Sequence, residues 1–316
     1  MFTQTGITVF GAIFQLFIIS FTAGLLVRKN IVSTSQIQAL STITVNVFLP
    51  CLIIVKILIR FHPEEFTNWW LLPLSGIFIA MIGLVFSAIL FKMKPEKKPL
   101  MTLASMQNAV YIVLPIGQIL FADQFDLFAS YCFLLILGLN PVIWSVGKVM
   151  ISGKKESQIQ LKDFITPPLV ATFISVIAVF THLSAFIPTS VFAAMDLLGQ
   201  ATVPLAVFIL GATIGSISFG KMPSLKDTVI VTTVKFILVP STVFAVLYYG
   251  QFHISMPLFC SLMIIQASAP PAANLILIVK KYGGDTQSIS SMMLIEYLLC
   301  LIFMPLWIAA WQYTAG

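Results

Sequence analysis

The sequence contains little charge. Only 9% of its 316 residues are Asp, Glu, Lys or Arg, whereas soluble domains carry about a quarter. Hydrophobic residues make up 59% of the chain and the mean hydropathy is +1.03, which excludes an ordinary soluble domain. The net charge of +6 comes from basic residues scattered over short connections. Because these residues are not gathered on one face, no nucleic-acid partner is expected.

The chain also lacks the usual signatures of catalysis and metal binding. It contains no phosphate-binding loop, no nucleophile elbow and no metal-ligand spacing, so ATP-driven transport and membrane enzymology are disfavoured. We therefore expect no cofactor and no metal site. The cysteines all fall in apolar stretches without motif spacing and are expected to be buried thiols: Cys51, Cys132, Cys260 and Cys300.

Long apolar segments fill the sequence instead. Spanning a bilayer takes roughly 20 apolar residues. Segments of this length can be drawn at about 6–27, 36–58, 69–91, 100–121, 127–149, 163–181, 189–216, 228–249, 256–279 and 287–312. The sequence therefore predicts an all-α membrane protein with ten transmembrane helices in a lipid bilayer.

Basic residues are distributed unevenly between the two ends of these segments. Fourteen of the 17 lie at one set of ends, beginning with Arg28 and Lys29. Only Lys56 and Arg60 lie at the other set, and Lys235 lies inside a segment. The positive-inside rule places the larger set in the cytoplasm. We expect a multi-pass protein of the cell (inner or plasma) membrane with both termini outside the cytoplasm.

Five segments in each half predict an inverted repeat, because an odd number makes the second half enter from the opposite face. Pro50 and Pro204 are 154 residues apart, and Pro115 and Pro270 are 155 apart. The predicted organisation is a first repeat over 1–150, a cytoplasmic linker over 151–163 and a second repeat over 164–316.

Proline interrupts the fourth and ninth segments at these matching points. A proline inside a helix removes a backbone donor, and matching breaks in two repeats indicate the substrate site of a transporter. Broken helices also direct their N-termini, which attract anions, toward the membrane midplane. The polar and proline residues around the breaks are the candidate substrate-binding set: Asn108, Tyr111, Pro115, Gln266, Ser268, Pro270, Pro271 and Asn274. The alternative is that these polar groups only satisfy backbone freed by the prolines.

Two charged residues within spans form a second candidate site. Lys235 in the eighth segment and Glu296 in the tenth lie at similar predicted depth, and charges inside a membrane usually face a partner or a cavity. We expect an ion pair whose Glu296 exchanges protons or whose Lys235 meets an anion. A static structural pair is the alternative.

Three motifs resemble the auxin efflux carrier family. The stretch from Val45 to Ile53 is similar to the family's vFLPaLi element in the second helix. Gln266 to Asn274 resembles its AMPPA-x-N crossover in the ninth helix. Asn108 to Pro115 occupies the fourth-helix element N-x-G-[FY]-x-G-x-P, with Val110 and Val113 in place of the glycines.

This resemblance implies a two-domain carrier with crossing fourth and ninth helices. Helices 1, 2, 6 and 7 would form a scaffold that mediates homodimerisation, and helices 3–5 and 8–10 a moving, elevator-like transport domain. Asn46 and Gln200 would face the substrate from the scaffold, unless they only bond across helix kinks. The short linker resembles compact prokaryotic members, so the implied substrate is a small organic anion such as malate, malonate or an auxin-like acid.

Two alternatives remain open at this point. The bile acid–sodium symporters share the architecture, and in that case Gln266, Asn108 and Glu296 would help to coordinate sodium. The coupling ion is thus H⁺ or Na⁺, if there is one. A non-transporting membrane receptor or regulator is the alternative from another class, and an appended soluble domain would be its expected signature.

Overall fold

The computed structural model describes residues 2–152, 165–216, 222–273, 275–276, 278–279 and 286–315. This part of the chain is helical and strand-free, apart from one isolated antiparallel bridge between Gln107 and Pro271. The first half contains α1 Phe2–Arg28, α2 Thr34–Ile43, α3 Leu49–Arg60, α4 Leu71–Leu90, α5 Lys98–Ser105, α6 Val113–Leu120, α7 Phe125–Val142 and α8 Lys148–Ser152. The second contains α9 Pro167–Phe180, α10 Thr189–Gln200, α11 Thr202–Gly215, α12 Leu225–Thr233, α13 Val239–Tyr249, α14 Phe252–Ser255, α15 Pro257–Ala267 and α16 Thr286–Ala315.

Among these described residues, seven helical stretches are long and apolar enough to cross a membrane. They are Val9–Arg28, Thr34–Arg60, Leu71–Leu90, Ala122–Ile151, Thr189–Gly215, Leu225–Tyr249 and Gln287–Ala315. Two shorter apolar helices are Pro167–Phe180 and Pro257–Ala267. The chain is therefore an all-α, multi-pass membrane protein. The predicted linker over 151–163 lies, beyond its first two residues, outside the described part.

Prolines shape the long helices without ending them. Five-residue π-helical turns join α2 to α3, α7 to α8, and α12 to α13. A proline lacks the N–H that would bond the carbonyl four residues back. The π turns that end two residues before Pro50 and Pro240 accommodate this mismatch. Pro240 frees the Phe236 carbonyl in this way, and the indole of Trp307 donates to that carbonyl at 2.7 Å. The turn that contains Lys235 is thus fixed by the neighbouring α16.

Glycines bring α1 and α11 into close contact. A Cβ on Gly211 would meet the backbone of Ser20, and one on Gly215 would meet that of Gly24. Small residues spaced in this way let two membrane helices approach closely. The G-x-x-x-G of α11 therefore packs within the monomer, against α1.

Candidate functional site

The fourth apolar segment is interrupted in the middle. Helix α5 ends at Ser105 and α6 begins at Val113, with non-helical backbone over 106–112. Pro115 is the third residue of α6, so the break precedes the proline. This placement follows from proline chemistry, since the first turn of a helix needs no N–H from the proline.

The ninth segment is interrupted as well, and the two breaks bind each other. Helix α15 ends at Ala267, and the chain continues in non-helical form through 268–273. The Asn108 N–H donates to the Pro270 carbonyl at 2.8 Å, and the Ala272 N–H donates to the Met106 carbonyl at 2.9 Å. We call residues 106–112 together with 268–273 the crossing. Each break supplies hydrogen bonds that the other has lost.

Predicted polar residues hold the crossing together. Asn108 is 2% exposed, and its side-chain oxygen accepts from the backbone N–H groups of Val110 and Tyr111. Gln266 donates to the Asn108 carbonyl at 3.3 Å, and the Ser268 hydroxyl donates to the carbonyl of Ile264. These bonds match the alternative in which polar side chains satisfy freed backbone. Asn274 lies outside the described residues.

Tyr297 completes the crossing, and sequence reasoning missed it. Its hydroxyl accepts from the Asn108 amide at 3.0 Å and donates to the Pro271 carbonyl at 2.8 Å. One phenol on α16 therefore ties together both breaks. Its only sequence signal is its place directly after Glu296.

Lys235 and Glu296, which were expected to pair directly or through one water, form no direct ion pair. The ion pairs within 4.0 Å in the described part of the chain join other residues. Lys235 instead donates to the Gln107 side chain at 2.8 Å, and Thr232 donates to Glu296 Oε1 at 2.8 Å. Both charged residues are fully buried. The sequence placed Lys235 and Glu296 at similar depth, but the Gln107 side chain lies closer to the Lys235 ammonium than Glu296 does.

A cavity of about 320 Å³ lies beside the crossing, between α1, α11, α6 and α16. Its walls are almost entirely apolar. Tyr111 and Tyr297 line it next to the crossing, and Ser20 and Arg28 line it along α1. Its size is at the lower end of the range for small-molecule sites. The arrangement provides space for an apolar body together with a few hydroxyl and cationic groups.

Asn46 and Gln200 are not brought to this cavity. Asn46 is exposed and donates to the Thr42 carbonyl at 2.7 Å. Gln200 is exposed and donates to Asp196 at 2.8 Å. Both bonds reach back four residues along the same helical stretch; that of Asn46 ends on a backbone carbonyl and that of Gln200 on a carboxylate. Neither residue lines the space beside Tyr111.

An ion network that the sequence did not predict joins three other helices. The Lys56 ammonium on α3 is 2.8 Å from Asp126 on α7 and 3.7 Å from Asp196 on α10. The lysine is 9% exposed, and about a third of each aspartate side chain is exposed. Of the three, the distribution of basic residues had placed only Lys56, at the set of segment ends with few basic residues.

Comparison with known proteins agrees with this architecture. The family model described as "Membrane transport protein" matches residues 8–160 and 155–308. An uncharacterized transporter of Methanocaldococcus jannaschii is 23% identical over 287 residues, which cover 88% of this chain and 91% of that protein. The matches extend over nearly the whole sequence, including the crossing.

Proposed function

Because the chain belongs to the membrane transport protein family, the auxin efflux carrier family that its motifs resemble, we propose that it carries a small organic anion. The chain is a multi-pass membrane transporter and not an enzyme. Under the proposal, the substrate is a carboxylate of the malate, malonate or auxin-like kind. It crosses by alternating access of an elevator type.

The observation that carries this proposal is the cavity beside the crossing. Helix α6 begins at Val113, directly after Tyr111 and Ile112 in the cavity wall, and a helix N-terminus carries about half a positive charge. Tyr111 supplies a phenol on the same side, whereas the Tyr297 hydroxyl already donates to the Pro271 carbonyl. An anion is otherwise costly in a low-dielectric cavity. The dipole and the Tyr111 phenol therefore favour a carboxylate whose apolar part rests on the surrounding walls.

The proposed architecture has ten spans in two inverted repeats of five. Support comes from the seven long apolar stretches, the two shorter apolar helices and the interrupted α5–α6 pair. The mutual hydrogen bonds of the two breaks are what symmetry-related interruptions would make. We propose further that both termini lie outside the cytoplasm and that the carrier forms a homodimer through its scaffold helices.

For coupling we propose a proton carried by Glu296. Its Oε2 atom is buried and has no hydrogen-bond partner among the described residues, so protonation removes a costly charge. Sodium coupling has weaker support. Asn108 and Gln266 already bond within the crossing, and an ammonium lies on the Gln107 side chain.

A thermal-shift comparison of matched acids and amides tests the proposal. Purified protein is melted with malonate against malonamide, and with indole-3-acetate against indole-3-acetamide. A ligand that binds the folded state raises the melting temperature by mass action. We expect at least one carboxylate, and neither amide, to stabilise the protein. Stabilisation by the neutral amides alone, or by cationic analogues, would reject the anion proposal.

A further inference from the structure

Lys235 is an unusual charge to find in this position. It is 0% exposed, and the π-helical turn Val234–Leu238 holds it between α12 and α13. A charged side chain at membrane depth is costly and requires partners. Its ammonium has three donors, and the described bond to Gln107 Oε1 uses one of them. The Glu296 carboxylate accepts from Thr232, three residues before Lys235 on the same helical stretch, but forms no ion pair with the ammonium within 4.0 Å.

Gln107 connects this ammonium to both breaks of the crossing. Its amide nitrogen donates to the Ala267 carbonyl at 3.4 Å, where α15 ends. Its backbone forms the antiparallel bridge with Pro271. The amide oxygen faces Lys235, so the positive charge fixes which way the amide is turned. A cation is thereby part of the structure that joins the two breaks.

The atoms around the ammonium are those that a free alkali cation would use. Hard cations bind carboxylate, amide and hydroxyl oxygens. Gln107 Oε1 contacts the ammonium, and the Glu296 carboxylate accepts from the hydroxyl of Thr232, three residues before Lys235 along the same helical stretch. Without Lys235, these oxygens and one uncompensated negative charge would surround a space vacated by the lysine side chain.

We propose that the Lys235 ammonium takes the place of a bound coupling cation. It supplies at the crossing the positive charge that a sodium-dependent carrier would take from solution. The chain then needs no sodium to assemble the crossing, and replacement of Lys235 by a small residue creates a sodium site. This inference extends the proposed function, but it is tested by a property of the folded protein that does not require transport.

The experiment measures melting temperature in sodium, potassium and N-methyl-D-glucamine chloride at equal ionic strength. Wild type is expected to melt at the same temperature in all three salts. Lys235→Ala is expected to melt lower in potassium and to be stabilised selectively and saturably by sodium. With sodium at about ten times its dissociation constant, the expected rise is roughly 2–4 °C.

Three variants control the interpretation. Lys235→Met fills the space without charge and should show no sodium response. Lys235→Ala combined with Glu296→Gln lacks the negative charge and should lose the response that Lys235→Ala shows. Lys235→Ser provides a second small replacement and should respond to sodium as alanine does.

Two results would overturn the inference. One is an equal effect of sodium on wild type and on both small variants, including no effect on any of them. The other is failure of Lys235→Ala and Lys235→Ser to fold even in sodium, since sodium should restore the lost charge. Because no substrate is added, either result leaves the anion proposal standing, and failure of the acid–amide comparison leaves this one standing.

Discussion

Two lysines with little solvent exposure have opposite surroundings. Lys56 reaches two partly exposed aspartates on different helices. Lys235 is completely buried and bonds to a neutral amide, and the Glu296 carboxylate is held by Thr232. In the proposed division into domains, the partners of Lys235 all move together, whereas the bond from Lys56 to Asp126 joins the scaffold to the transport domain.

We infer from this difference that Lys235 stabilises the crossing in every state of the carrier, whereas the Lys56–Asp126 contact is present in only some states. The Lys235 contacts are expected to persist through transport, because they hold the two breaks to each other. The Lys56–Asp126 contact must break if the domains slide, and Asp196 on α10 then remains as its partner. Substitutions around either lysine test this difference. Those around Lys235 should mainly lower stability, and those around Lys56 should mainly change the transport rate.

The largest effect is expected from Gln107→Leu. This substitution leaves the Lys235 ammonium buried without its acceptor, and removal of one partner of a buried charge costs about 3–5 kcal/mol. The melting temperature of purified protein measures the loss. Gln118→Leu on the exposed side of α6 is the control. Equal stability of the two variants would show that the Gln107 contact does not support the buried charge.

Tyr297→Phe should give the next largest effect. It leaves the Asn108 amide and the Pro271 carbonyl without their common partner, which costs about 1–3 kcal/mol for each buried group left unsatisfied. We expect a lower melting temperature and weaker carboxylate binding. Tyr249→Phe, at an exposed phenol, should change neither property. Unchanged behaviour of Tyr297→Phe would remove this residue from the crossing.

Asp126→Asn tests the other side of the comparison. The pair is partly exposed, so we expect a stability loss below about 1 kcal/mol. If the contact must break during transport, its loss should speed that step by up to about fivefold. Asp227→Asn is the matched control, since its partner Lys97 lies in the same proposed domain. Equal transport rates for both variants would contradict a domain boundary at Lys56.

The smallest effects are expected at Asn46 and Gln200. Both side chains are exposed, bond within their own helical stretches and lie away from the cavity. Alanine at either position should change carboxylate binding by less than about 0.5 kcal/mol. A substantial loss of binding for either variant would show that the scaffold contributes to the site in another state of the carrier.

The sequence predicted the breaks but not their details. A proline restricts the backbone whatever the orientation of the neighbouring side chains. The interruptions before Pro115 and at Pro270 could therefore be predicted from the sequence. Lys235 could be placed at a depth in the membrane from its position along the eighth apolar segment. Its partner could not, because each residue turns a helix by roughly 100° and the π turn before Pro240 adds a further shift. The sequence therefore predicted Glu296 as its partner, because the two residues lie at similar depth. In the structure the rotation of the helix directs Lys235 to Gln107 instead.

The same argument explains Tyr297 and Asn46. A phenol in an apolar span carries no pattern that distinguishes a packing residue from one that bonds both breaks. Asn46 lies four residues before Pro50, a position from which it bonds either the kink or a substrate, depending only on helix rotation. The Lys56 network needed three helices to be positioned at once. Such contacts follow from tertiary packing, which local pattern does not encode.

Counterflow in proteoliposomes tests the central claim most directly. Purified protein is reconstituted with an unlabelled carboxylate inside, and uptake of the labelled acid is followed for wild type, Tyr111→Ala and Tyr249→Ala. We predict transient accumulation of the carboxylate by wild type and by Tyr249→Ala, with a marked loss for Tyr111→Ala, whose side chain lines the cavity. Accumulation of only neutral or cationic solutes, or full activity of Tyr111→Ala, would contradict an anion carrier with its site beside the crossing.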